Sequence, residues 1–143
     1  MRFPAACIAA AVAFLLFVAG CAVGGDVACP EGMDPFTEIN VYFGQEKGSG
    51  ETVAEAEWQS FLADTVTPQF PDGLTVLDAR GQWFDTDQGR LYRESTRVLN
   101  VLVPVDTTDS GVAAVRDISD IYKQRFEQQA VFYTSLPACA AVY

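Results

Sequence analysis

Between Thr37 and Leu136 the hydropathy of this chain changes period in a set order, and that order limits its fold more than any other feature. Over residues 37–43, Ile39, Val41 and Phe43 alternate with Glu38, Asn40 and Tyr42, the period of a half-buried strand. Residues 44–50 break the pattern with three glycines. Thr52 then opens a helix, with Glu55 completing a T-x-x-E capping box. Trp58, Phe61, Leu62, Thr65 and Val66 repeat at i, i+3, i+4, i+7 and i+8, one apolar face. Thr67-Pro68 ends it, because the residue before proline is driven out of the helical region. After the turn at Phe70-Pro71-Asp72-Gly73, residues 74–79 read as a second strand that continues through Gly81-Gln82-Trp83. Residues 85–89 form a hairpin loop. In the strand expected over residues 97–103, the positions after Arg97 are apolar on both faces except at Asn100, the pattern of a strand covered on both sides. Residues 106–109 cap a second helix with a stripe of Val112, Val115, Ile118, Tyr122 and Phe126, and residues 131–136 form the last strand.

The resulting order, β-α-β-β-α-β, predicts an α+β domain of ferredoxin-like topology: a four-stranded antiparallel sheet with two helices on one face. The expected pairing joins the first and last strands antiparallel at the sheet centre.

The N-terminus carries an address. Arg2 precedes an uncharged apolar run over residues 5–18, too short to span a bilayer but suited to a signal-peptide core. Val18-Ala19-Gly20-Cys21 follows and resembles the lipobox of bacterial lipoproteins. The resemblance implies cleavage before Cys21 and acylation of its thiol, palmitate being a typical chain. Ala22 after that cysteine resembles the sorting signal for the outer membrane, with the domain facing the periplasm. The expected organisation is a signal peptide over residues 1–20, a lipid-anchored tether over 21–34 and one domain over 35–143.

Of the four cysteines, Cys7 leaves with the leader and Cys21 takes the lipid. Cys29 and Cys139 remain, and in an oxidising envelope compartment they are expected to form a disulfide. Cys29 precedes the first strand and Cys139 follows the last, so the pairing and the topology support each other.

Charge and composition exclude several functions. The formal net charge is −10, and loss of Arg2 with the leader makes the mature chain more acidic still. Such a surface repels phosphate backbones and anionic headgroups, so no nucleic-acid partner is expected and membrane attachment falls to Cys21. The chain has no histidine, which removes Ser-His-Asp and Cys-His catalysis and imidazole metal sites. Neither a metal nor a cofactor is expected.

With the segments laid out, the chain resembles a family of short bacterial envelope proteins, domain of unknown function family 3574, over roughly residues 36–139. The resemblance rests on Val41-Tyr42-Phe43-Gly44, on Trp58, Phe61 and Leu62 running into Thr67-Pro68-Gln69-Phe70-Pro71-Asp72-Gly73-Leu74-Thr75, and on Asp78-Ala79-Arg80-Gly81-Gln82-Trp83. Arg93-Glu94-Ser95 and Tyr122 with Phe126, Gln128 and Val131 complete it. It implies no activity.

The densest polar cluster is Asp78, Arg80, Gln82, Arg93, Glu94 and Arg97. Alternation sets Asp78, Arg80 and Gln82 on one face, and the hairpin returns Arg93–Arg97 beside them. With Trp83 at the hairpin neck, Asp78, Arg80, Gln82, Arg93 and Glu94 make a candidate site for an anionic or polyol ligand. The competing reading is a cross-strand ladder of ion pairs, each contributing about 0–1 kcal/mol. Asn40, Tyr42, Asn100 and Tyr133 are expected on the sheet face away from the helices, where ferredoxin-like domains often bind ligands or a second subunit; the expected partners are a second copy or an envelope protein. Asp85, Asp87 and Gly89 read as a plain turn, because the remaining ligands of a calcium loop are missing. The expected function is a non-enzymatic ligand- or protein-binding envelope module. The alternatives are a small hydrolase or isomerase using Asp78, Arg80 and Glu94, and a structural envelope component.

Overall fold

In the computed structural model, residues 28–142 are described; the expected signal peptide, Cys7 and the expected lipidation site Cys21 lie outside them. Strand β1 (Asp34–Gly44) is followed by helix α1 (Glu55–Phe61) and a π-turn over Leu62–Val66. Strands β2 (Thr75–Asp85) and β3 (Arg90–Pro104) form a long hairpin. A 3-10 turn (Val105–Thr107) leads into helix α2 (Thr108–Phe126), and β4 (Phe132–Ala140) closes the unit. The sheet order is β2-β3-β1-β4 with every pair antiparallel, the ferredoxin-like arrangement. Among the described residues no helix is long and apolar enough to cross a membrane.

β1 does pair antiparallel with β4, from Asp34↔Ala140 to Tyr42↔Phe132. The central strands, however, are β1 and β3, and β4 is an edge. Each helical crossover skips one strand position, and the skipped positions hold β1 and β3. Cys29 and Cys139 are joined by a disulfide with Cα atoms 5.6 Å apart. Cys29 is thus tied to the end of β4 and Asp34 opens β1, within the stretch over 21–34 that the sequence predicts as a tether.

Helix α1 starts later than its capping motif suggested. Val53 N–H donates to the Gln45 carbonyl at 2.8 Å and Thr52 bridges Glu46, so Thr52 is held in extended pairing. Glu57 supplies the cap instead, its carboxylate accepting from the Ala54 N–H at 2.9 Å. At the far end Thr67 N–H reaches back to the Leu62 carbonyl at 2.8 Å, one residue further than an α-helical bond.

Odd-numbered residues of β1 from Thr37 to Phe43 are buried beneath the helices. Phe43 packs against Trp58, Phe61 and Tyr122 with ring centroids 5.6, 5.6 and 4.6 Å away, and Phe126 joins the same cluster. Edge-on aromatic pairs of this kind add about 0.5–1.5 kcal/mol beyond area burial. At the other end α2 approaches the sheet through Gly111, where an added Cβ would lie 3.1 Å from both methyls of Val103.

Candidate functional site

The β2–β3 hairpin outruns β1, which ends at Gly44. Its arms stand beside the β1–α1 loop and the loop after α2, and the three enclose a cleft of about 560 Å³. The hairpin contributes Trp83, Tyr92, Arg93 and Glu94; the first loop gives Glu46, Lys47, Gly48 and Gly50; the last gives residues 127–130.

Register fixes what faces the cleft. Trp83 is paired with Tyr92, and the rings stack with centroids 4.6 Å apart and planes 11° from parallel. Arg90 lies 4.7 Å from the Tyr92 ring centroid, and the Tyr92 hydroxyl donates to Gln88 at 3.0 Å. The result is a braced plate of indole and phenol, with Trp83 half exposed at 50%.

Glu94 sits two residues along on the same face, opposite Gly81. Its side chain lies over Gly44: a Cβ built there would meet the Glu94 Oε2 at 2.8 Å and the Gln128 Oε1 at 3.1 Å. Glycine at position 44 makes room for both. Gln128 donates to the Glu46 carbonyl, tying the last loop to the first. Desolvation, and then the nearby Glu46 carboxylate, push the Glu94 carboxyl above its usual range. Beneath this floor the buried Tyr122 hydroxyl donates to the Gly44 carbonyl at 2.7 Å and accepts from Gln45 at 3.0 Å. Burial raises the Tyr122 phenol far above its ordinary range, so it remains a protonated prop.

The charges around the cleft are unequal. Lys47 is bound to Glu57 at 2.8 Å, which holds the Glu57 carboxyl below its usual range. Arg93 makes no ion pair among the described residues, and it lines the cleft together with Glu46, Glu94 and Glu127. Acceptors predominate.

The six residues singled out from the sequence divide. Trp83, Arg93 and Glu94 line the cleft. Arg80 and Gln82 line an adjoining depression with Arg93 and Glu94. Asp78 lines neither: it pairs with Arg97 at 3.2 Å, and Arg97 also grips Glu55 at 2.6 Å. The ion-pair reading therefore holds for Asp78 and Arg97, which tie β2 and β3 to α1. Strand alternation also parts the cluster, since Asp78, Arg80, Gln82 and Arg93 share the helix-side face while Trp83 and Glu94 point the other way. A catalytic pair of Asp78 with Glu94 is not assembled. Among the open-face residues, Asn40, Tyr42 and Asn100 are placed as expected, but Tyr133 pairs with Val41 and packs on the core side. Asp85 is a turn residue, its carboxylate accepting from the N–H groups of Asp87 and Gln88 at 2.9 Å.

The loop residues Glu46, Gly48 and Glu127 were not legible as site residues. Three glycines in 44–50 were the available signal, and they read only as a break.

A family model described as Protein of unknown function (DUF3574) matches residues 38–142. Curated proteins give no match. Among solved structures, the chain is similar to a phage SAM lyase in complex with S-methyl-5′-thioadenosine, with a TM-score of 0.57 and 11% identity over 75% of this chain and 90% of that one. The apo state of a phage SAM lyase gives 0.53 and 13% over 81% and 97%. At such identities the likeness is one of fold.

Proposed function

We propose that this chain, which belongs to the DUF3574 family of proteins of unknown function, is a lipid-anchored envelope protein that binds a small ligand in the cleft beside its hairpin. The address rests on the apolar run ending at Val18-Ala19-Gly20-Cys21. The Cys29–Cys139 bridge agrees with it, since such bonds persist in oxidising compartments. By the sorting resemblance at Ala22, the anchor lies in the outer membrane and the domain in the periplasm.

One observation carries the binding reading: a braced aromatic plate borders a carboxyl that is partly desolvated and has no hydrogen-bond partner among the described residues. Unfilled acceptors beside a flat apolar surface suit a ligand with a ring to stack and hydroxyl or amino groups to donate. With Glu46, Glu94 and Glu127 around it, that ligand is neutral or cationic. S-methyl-5′-thioadenosine, present in the phage complex, has a flat base and ribose hydroxyls and is a suitable first probe.

Native mass spectrometry of the chain purified from the envelope without reduction reads any ligand that travels with it. Tryptophan fluorescence then reports titrations, because Trp58 is fully buried and Trp83 is half exposed. The expected result is a saturable change on adding a ring-bearing polyol or amine, abolished by Trp83→Ala and weakened by Glu94→Gln. No bound mass, and no response to the nucleoside or to amine and saccharide panels, would sink the reading.

The raised Glu94 carboxyl beside Glu46 favours a second reading, general acid–base catalysis at the same cleft. Glu94→Gln separates the two: an enzyme keeps ligand affinity and loses turnover, whereas a binding module has no turnover to lose.

A further inference from the structure

We infer that the sheet face turned away from the helices is the interface of a symmetric dimer of this chain. Short of the hairpin end, where Trp83, Tyr92 and Glu94 of the same face line the cleft, even-numbered residues of β1, β3 and β4 and odd-numbered residues of β2 point there. Among the described residues no second layer covers them, although β3 carries apolar side chains on both faces. Phe132 is 68% exposed, Leu136 54% and Leu77 53%. They surround Val98, Leu102 and Tyr42, the last packed on Phe132 with centroids 5.8 Å apart.

Charge is the second observation. The chain has 19 acidic residues, yet across 36–44, 75–79, 96–104 and 132–138 the face carries one charged side chain, Glu38. That carboxylate is already engaged, accepting from Asn100 at 2.6 Å and Asn40 at 3.2 Å. Two copies meeting elsewhere would oppose many like charges, whereas within these ranges the opposed charge is Glu38 alone, held by the two asparagines. Depletion of charge with retention of aromatic and aliphatic side chains marks the core of an interface.

The centre of the face is built to meet itself. Asn40 and Asn100 are paired on the two central strands, with Asn100 donating to Asn40 at 2.9 Å. An amide carries both a donor and an acceptor, so an Asn pair on a two-fold axis is complementary to its own copy. A polar centre within an apolar surround also specifies register.

The area suffices. Four strands about 4.8 Å apart, each presenting roughly eight residues at about 3.3 Å, cover roughly 500 Å² in projection. Two copies therefore bury more than about 1,000 Å², the level that a specific interface needs. Sheets meeting this way align to within about 30°.

Sedimentation of the purified chain across roughly 1–100 µM tests this. Dimers are expected for the parent. Leu77→Lys and Phe132→Glu, both at exposed positions, are expected to raise the dissociation constant at least tenfold with an unchanged circular dichroism spectrum. Asn40→Cys is expected to cross-link two copies on oxidation, while Ser60→Cys on the helical side is not. A parent monomeric at the top concentration overturns the inference. So does a dimer indifferent to both charges, or a monomer that holds a different protein on this face.

Discussion

Replacing Tyr122 by Phe deletes one oxygen from a fully buried side chain and tests whether the floor of the cleft is held as described. That oxygen donates to the Gly44 carbonyl at 2.7 Å and accepts from Gln45 at 3.0 Å. Gln45 is only 4% exposed and keeps its bond to the Phe43 carbonyl at 3.1 Å. A single hydrogen bond contributes about 1 kcal/mol net, and a buried group left unpaired costs about 1–3 kcal/mol. With two buried partners affected, the substitution should destabilise by about 2 kcal/mol. The ring stays, so no large cavity term enters. For a domain of this size, about 4 °C per kcal/mol implies a fall in Tm of about 8 °C. Thermal unfolding by circular dichroism at pH 7 measures it. Gln45→Leu should show a coupling with Tyr122→Phe of about 1 kcal/mol in a double-mutant cycle. A fall under 2 °C, or strict additivity with Gln45→Leu, would refute the reasoning.

Three further expectations are more compact. Cys29→Ser with Cys139→Ser releases a closure of 110 residues, which the chain-entropy relation values at about 4–5 kcal/mol; denaturant unfolding should show a loss of about 3–5 kcal/mol, and a loss under 1 kcal/mol would contradict it. Gly111→Ala should destabilise by about 1 kcal/mol although alanine favours helix by a similar amount, because the new methyl would press on both branches of Val103 at 3.1 Å; a gain in Tm would show that the helix can lift. Glu94 has a folded pKa raised above its unfolded value of about 4.5, so its ionised form is disfavoured by folding. The penalty is present above the folded pKa and fades as pH falls toward the unfolded value. Glu94→Gln should therefore stabilise at pH 7 and lose that advantage near pH 3. A benefit independent of pH would remove ionisation as its cause.

The two hydropathy periods sufficed for element order because the faces of β1 and of the helices were marked: Ile39, Val41 and Phe43 against Glu38 and Asn40, and the α2 stripe against its charged side. Tyr133 was misplaced because the edge strand alternates weakly, Phe132 and Leu136 being as apolar as the side that is buried. The capping box at Thr52 was a true local pattern overridden by tertiary pairing of Thr52 and Val53 with Glu46 and Gln45. The polar cluster was found by proximity in sequence, yet one step along a strand reverses direction, so Asp78 and Glu94 fell on opposite faces. Glu46 and Glu127 could not be foreseen: loops have no period, and their approach to the hairpin depends on the whole fold.

The disulfide also sets how the domain would bear load. The chain enters at Cys29 and leaves at Cys139, so tension applied at its two ends runs through one covalent bridge and bypasses the sheet. Pulled in this way, β1 and β4 do not unzip, and the hairpin, both helices and the cleft lie within a slack loop. Reduction would shift the pull onto the antiparallel ladder from Asp34↔Ala140 onward, opening it bond by bond from its end. The bridge thus acts as a mechanical shunt, and the oxidation state of one bond decides whether a tug on the N-terminal segment reaches the fold at all.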